Sequence, residues 1–168
     1  ADAVKMEVDQ SFCDLVARMS RAGVPVVAHL GSRPQHVRRQ GGYRAAGRTA
    51  VEARALIDQA RRMEDSGAVL LLLEATTAEV SQRIVEAAGI PVIGCGAGPA
   101  CHGEVVVLHD LLGLTDWQPP FAPPQAQMGQ AIADAAASWV QQVGRGGDRR
   151  CEHPYRMSED ERRRLDED

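Results

Sequence analysis

Aromatic side chains are scarce in this chain. Two Trp, two Tyr and two Phe give 4% of 168 residues. A core must therefore be assembled from Ala, Val, Leu and Ile, as in α/β proteins. Surplus positive charge is also missing. The formal net charge is −4, with no basic stripe and no aromatic interleaving, which excludes nucleic acid as a partner. No apolar run approaches the roughly 20 residues that span a bilayer, and the first residues do not have the layout of a signal peptide. Neither a membrane partner nor an export signal is expected. The chain opens on Ala1-Asp2 without a Met, which reads as an excised or processed start.

Cysteines number four, Cys13, Cys95, Cys101 and Cys151, and none form a C-x-x-C pair. That pattern predicts free thiols in a reducing cytoplasm. Cys101-His102 and His109-Asp110, taken with Cys95, match no zinc spacing, so core or loop thiols are the better reading. The glycines form neither a dinucleotide fingerprint nor a P-loop.

What the chain does have is a leucine run ending in an acid. At 168 residues and 44% apolar content it can build one domain with a real core. Residues 1–143 are expected to form that domain, and 144–168 a polar tail. Val69-Leu70-Leu71-Leu72-Leu73-Glu74 reads as a strand buried on both faces, in the middle of a parallel sheet. Glu74 then stands at the carboxyl end of that strand, where α/β proteins place their chemistry. Thr76 and Glu79 have capping-box spacing and predict a helix start. Glu74 is thus expected in a short loop, half solvated and backed by leucines, in the setting of a proton acceptor. The same residue also reads as an ordinary surface acid.

Ala3 to Val8 is a short β-rich run. Lys5 and Glu7 are two apart and so share one face. On a buried strand that pair needs a partner, a metal or a substrate. Ser11 and Asp14 suggest a second capping box, Leu15, Val16 and Met19 a helical stripe, and Gly23 its end. Val26 to Gly31 is strand two, with His29 near its end. Ser32 to Thr49 reads as a long irregular connection holding Gly41-Gly42-Tyr43 and Gly47-Arg48, of the kind used for lids and binding loops.

Ala53, Leu56, Ile57, Ala60 and Met63 mark one face of a helix closed by Gly67. Val80, Ile84 and Ala87 mark the helix before Gly89. Pro91 to Cys95 is the fourth strand and runs into Gly94-Cys95-Gly96-Ala97-Gly98, where backbone can approach a ligand. Glu104 to Asp110 is predicted as the fifth, after a connection short for a crossover helix. Trp117 to Pro124 is a Pro-rich loop. Met128, Ile132, Ala135 and Trp139 mark an amphipathic helix. Glu152 to Tyr155 reads as extended tail, followed by a short charged helix from Ser158 to Leu165.

Five strands alternating with about four helices predict a parallel sheet. Polar or glycine residues recur at the strand ends: Glu7, His29, Glu74, Gly96 and Asp110. Five βα units cannot close an eight-stranded barrel. The expected fold is therefore α/β, the later part of a (β/α)₈ TIM barrel.

Val4-Lys5-Met6-Glu7, His29-Leu30-Gly31, Gly41-Gly42-Tyr43 with Gly47-Arg48, Leu73-Glu74, the run from Ile90 to Gly98, His109-Asp110 and Glu152-His153-Pro154-Tyr155 resemble the ketopantoate hydroxymethyltransferase family. The resemblance covers nearly the whole chain and corresponds to strands four to eight of that family's barrel. It implies transfer of a one-carbon unit from 5,10-methylenetetrahydrofolate to 3-methyl-2-oxobutanoate, giving 2-dehydropantoate on the way to pantothenate and coenzyme A. It implies Mg²⁺ chelated by the keto acid, Glu74 as general base, Lys5 and His29 as substrate-binding residues, and Glu7 on the metal side. Gly41, Gly42, Tyr43, Arg48, Gly96 and Gly98 would line or close the site. A homo-oligomer, a decamer, is implied as well.

Two family motifs that carry metal-binding aspartates, V-G-D-S and L-A-D-L-P-F, do not occur in this sequence. Ser32-Arg33 replaces the usual apolar and hydroxyl residues after H-L-G. Cys101-His102-Gly103-Glu104 departs from D-G-Q. Roles for His102, His109 and Asp110 are not assigned. Three readings follow: a transferase chain completed by a complementary front half; a related metal-dependent enzyme of 2-oxo acid C–C chemistry; and a non-catalytic subunit binding a partner through open strand edges.

Overall fold

A computed structural model describes residues 1–145 and 155–167. Its contacts divide the chain into two units, Ala1–Ala126 and Gln127–Asp168.

In the first unit, parallel strands β1 (Val4–Glu7), β2 (Val26–Gly31), β3 (Leu70–Glu74), β4 (Val92–Cys95) and β5 (Gly103–Glu104) lie in the order β1-β2-β3-β4-β5. Each strand pairs with the next in sequence, as in a barrel wall. A doubly wound sheet would reverse its order part-way. Between the strands run α1 (Cys13–Arg21), α2 (Val37–Gln40), α3 (Ala50–Asp65) and α4 (Ala78–Ala87). The five-strand α/β reading of the sequence holds.

Side chains alternate between the two faces of a strand. One face carries Val26, Ala28, Leu30, Leu71, Leu73 and Val92, all at most 1% exposed. These pack against Val16 of α1, Leu56, Ala60 and Met63 of α3, and Val80 and Ile84 of α4. Each fully buried Leu here contributes about 1.5–3 kcal/mol relative to exposure. The expected stripe of α3 is the one that turns inward. Gly67, with φ +93°, ends that helix as predicted, and its position leaves no room for a side chain beside Ser20. The opposite sheet face carries Lys5, Glu7, Val27, His29, Leu70, Leu72, Glu74 and Ile93, most of them only half-buried. In a (β/α)₈ barrel this is the inward face.

Several local expectations are corrected. The first helix is opened by Asp9, whose carboxylate accepts from Ser11 N at 3.0 Å and caps a 3₁₀ turn, Gln10–Phe12. An acid two residues upstream reaches that amide, so Ser11 is not the cap. The cap of α4 is Thr77, without a side-chain cap bond. The buried Thr76 hydroxyl instead donates to Glu74 O at 3.3 Å. The connection after β2 is not wholly irregular: it holds a 3₁₀ turn, Pro34–His36, and α2. The predicted fifth strand shrinks to two residues. Its last ladder bond runs from Val105 N to Gly94 O at 2.8 Å, because β4 turns away after Cys95. Leu108–Leu111 then forms a short helix, α5, which carries His109 and Asp110.

The second unit contains α6 (Met128–Gly144) and α7 (Glu159–Asp166). Ser158 caps α7, accepting from Glu161 N at 3.3 Å, as the Ser158 start predicted. Glu152, His153 and Pro154 of the expected extended tail lie outside the described residues.

Candidate active site

Glu74 is the last residue of the central strand, and its backbone is fixed from three directions. Its carbonyl accepts from Ser32 N at 2.8 Å and from the Thr76 hydroxyl. The next residue, Ala75, has φ +46°, a left-handed conformation that costs an Ala about 1–2 kcal/mol. It is held there because its N–H donates to Cys95 O at 2.9 Å and its carbonyl accepts from Ala46 N at 2.8 Å. Gly31 lies beside Glu74 in register. A Cβ at Gly31 would meet Glu74 O at 2.3 Å, so only glycine allows the two strand ends to approach this closely.

His29 is buried among these residues, with its side chain 2% exposed, and its Nε2 lies 3.2 Å from Glu74 Oε2. The contact has ion-pair distance but is not aligned as a hydrogen bond, and both ring nitrogens lack hydrogen-bond partners among the described residues. Glu7 is paired in register with His29. Its Oε2 is buried and likewise without a hydrogen-bond partner there. Lys5 lies two residues before Glu7, exposed on the same face. Lys5, Glu7, His29 and Glu74 therefore share one side of three adjacent strands.

A cavity of about 760 Å³ opens over the strand ends beside Glu74. Of the expected lining residues, Tyr43 and Gly96 reach it. The Tyr43 ring stacks on Trp117, with centroids 5.0 Å apart and planes inclined by 13°. Phe121 lies where a Cβ on Gly96 would be, 2.2 Å from its nearest ring atom. Gly41 and Gly42 lie in a turn with φ +75° and +131°, where a Cβ on either would meet nothing within 4 Å among the described residues. Arg48 donates its backbone N–H to Glu52 at 3.0 Å, at the start of α3. Gly98 packs on Ala78 of α4. None of these four lines the cavity.

Sequence reasoning missed Trp117, Phe121 and Cys95 as cavity residues. Trp117 and Phe121 lie in the segment read only as a Pro-rich loop. It also missed the ion pair between Arg33 and Asp9, 2.7 Å long. This pair ties the loop after β1 to the loop after β2. The Ser11 hydroxyl bond, joined by Arg33, holds the Asp9 carboxyl down to a pKa of about 2. Cys95 is pushed up to about 11 by burial and then by the charge of Glu74. Burial also raises Cys101. His102 has a structural place: its Nδ1 accepts from Val92 N at 3.0 Å.

Comparison with known sequences bears on this geometry. A family model described as ketopantoate hydroxymethyltransferase matches residues 1–147. The chain belongs to that family. Among curated members named 3-methyl-2-oxobutanoate hydroxymethyltransferase, it is 42% identical to that of Ignicoccus hospitalis over 146 residues, 87% of this chain and 56% of the relative. Identity to that of Hyperthermus butylicus is 44%, over 87% of this chain and 51% of the relative. With that of Oleidesulfovibrio alaskensis it is 40% over 166 residues, 98% of this chain and 57% of the relative. The ketopantoate hydroxymethyltransferase family has the TIM-barrel fold, and this chain spans about half the length of the curated relatives it matches.

Magnesium, expected from the resemblance, takes hard oxygen ligands in a near-octahedral shell. Glu7 Oε2 suits one such position, because a buried carboxylate oxygen without a donor needs a proton or a cation. No cluster of three or more His, Cys, Asp or Glu side chains forms a metal cage among the described residues. Glu7 thus offers a single ligand position.

Proposed function

We propose that this chain carries the proton-abstracting part of a 3-methyl-2-oxobutanoate hydroxymethyltransferase. The reaction adds the one-carbon unit of 5,10-methylenetetrahydrofolate to 3-methyl-2-oxobutanoate, with water supplying the hydroxyl oxygen, and yields 2-dehydropantoate and tetrahydrofolate. The observation that carries this reading is the placement of Glu74 at the carboxyl end of the central strand, with Lys5, Glu7 and His29 on the same sheet face.

Glu74 accepts the C3 proton of the keto acid, and the released electron pair moves toward the keto oxygen. C3 then bonds to the methylene carbon as that carbon leaves one folate nitrogen, which takes up a proton. Water then displaces the second folate nitrogen, so that the carbon keeps a hydroxyl and tetrahydrofolate is released. The Lys5 ammonium offsets the substrate carboxylate and the developing oxyanion. His29 lies beside Glu74 and keeps the carboxylate at the substrate. Glu7 would hold Mg²⁺, which when bound polarises the keto group and makes the C3 proton removable. Further oxygen ligands would have to come from the substrate, from water and from the part of the relatives that this chain does not span. That part would also pair with the open strand edges, as a complementary front half. The reading extends to a cytoplasmic homo-oligomer, a decamer by family resemblance. The free thiols of Cys13, Cys95 and Cys101 support a reducing compartment.

The test is exchange of the C3 proton in deuterium oxide, followed by NMR. The chain is combined with the front portion of the Ignicoccus hospitalis relative and Mg²⁺. Glu74→Gln should slow exchange by about 10²–10⁴-fold, the usual contribution of a positioned base. Unchanged exchange removes Glu74 from the role.

A further inference from the structure

We infer that the cavity beside Glu74 seats the pterin ring of the one-carbon donor, with Trp117 and Tyr43 as its apolar wall and Asp110 as its polar anchor. This inference rests on the functional reading above and adds to it the residues that hold the second substrate.

The cavity measures about 760 Å³, within the range of about 300–1,000 Å³ for sites that hold drug-sized organic molecules. A small branched keto acid fills only a fraction of that. The remaining space begins at Glu74, so whatever occupies it lies against the carbon that Glu74 deprotonates. A reaction that joins two organic substrates needs this adjacency.

Trp117 and Tyr43 belong to different loops, yet their rings stack nearly parallel, 5.0 Å apart, and both line the cavity. In a chain with only six aromatic residues, two placed together in one cavity wall, with Phe121 also lining it, mark a surface for a flat ring. A pterin presents an amino-pyrimidinone edge with two parallel N–H donors. A carboxylate accepts such a pair in fork geometry, as it does from a guanidinium. Asp110 lines the same cavity from α5. Arg44, at the same wall, has its side chain 57% exposed and Nη2 3.1 Å from Glu52, where it can meet the carboxylates of the donor's glutamate tail.

The experiment is equilibrium dialysis of tetrahydrofolate, under anaerobic conditions, against the 168-residue chain and its variants. The unsubstituted chain should bind saturably. Trp117→Ala and the isosteric Asp110→Asn should each raise Kd at least tenfold, with far-UV circular dichroism unchanged. Trp139→Ala, a substitution in α6, should bind as the unsubstituted chain does. p-Aminobenzoylglutamate, which lacks the pterin, should not compete at equal concentration. No binding by the unsubstituted chain, equal affinity in the Trp117 and Asp110 variants, or full competition by p-aminobenzoylglutamate would each overturn the assignment. C3-proton exchange by the unsubstituted protein requires no folate. Its loss would sink the functional reading, whereas its persistence with any of those three results would sink only the pterin seat.

Discussion

His29 Nε2 and Glu74 Oε2 lie 3.2 Å apart on neighbouring strands, at the point where β2 and β3 both reach their carboxyl ends. Gly31, two residues after His29, is the register partner of Glu74. The imidazole is therefore a diagonal neighbour of the carboxylate, close enough to restrict its rotamers.

That relationship predicts a positioning role for His29. His29→Ala should lower the rate of C3-proton exchange about ten- to a hundredfold, because the Glu74 carboxylate loses its fixed neighbour while remaining present. Loss of a buried side chain should also destabilise the fold by about 1–3 kcal/mol. His29→Gln, which restores a polar atom near the carboxylate, should recover most of the rate. A kcat that is unchanged in His29→Ala, measured with a separate urea melt, would make the residue structural only.

A second prediction concerns Asp9 and Arg33. The folded-state pKa of Asp9 is about 2, below the value of about 3.9 in an unfolded chain. A lowered carboxylate contributes stability above the unfolded value, and that contribution is lost as pH falls from about 4 to about 2. Both partners are partly exposed, with side chains 22% and 32% accessible. Solvent screening therefore limits the contribution to about 1 kcal/mol at neutral pH. Arg33→Leu should remove part of it and flatten the acid limb of the stability curve between pH 4 and pH 2. The Ser11 bonds, which act on Asp9 more strongly than Arg33 does, should preserve the rest. Urea melts at pH 6, 4 and 2.5 measure this directly. An acid limb identical in both proteins would show that the ion pair has no energetic role.

The frame of the site was readable in the residues because two periodicities were clear. The spacing of Lys5 and Glu7 assigned them to one face, and the leucines before Glu74 assigned it to a central strand end. Parallel pairing then brings both faces into line, with Glu7 beside His29 and Gly31 beside Glu74. The cavity wall was not readable. Trp117 and Phe121 come from a loop with no periodicity, and their partners, Tyr43 and Gly96, are far away in sequence. The Val105-Val106-Val107 triplet misled for the same reason. β-Branched residues favour a strand, but a ladder needs a partner, and β4 provides none beyond Gly94. Capping followed spacing at Thr49, whose hydroxyl accepts from Glu52 N, and at Ser158, whose hydroxyl accepts from Glu161 N, but not at Ser11 or Thr76, where a nearby acid or a backbone carbonyl took the group instead.

The last prediction follows from Cys95, which lines the cavity next to Glu74. Burial, then the Glu74 carboxylate, raises its thiol pKa to about 11. At pH 8 roughly one molecule in a thousand would carry the thiolate, which is the reactive form. Iodoacetamide should therefore label Cys95 much more slowly at pH 8 than it labels an unhindered free thiol. Glu74→Gln removes the negative charge that opposes ionisation, while the burial that is the larger cause stays in place. Labelling of Cys95 in that variant should be faster than in the unsubstituted chain but still slow. Mass spectrometry of tryptic peptides over a time course measures both rates. Rapid labelling of the unsubstituted chain, or equal rates in the two proteins, would contradict the electrostatic link between the thiol and the proposed base.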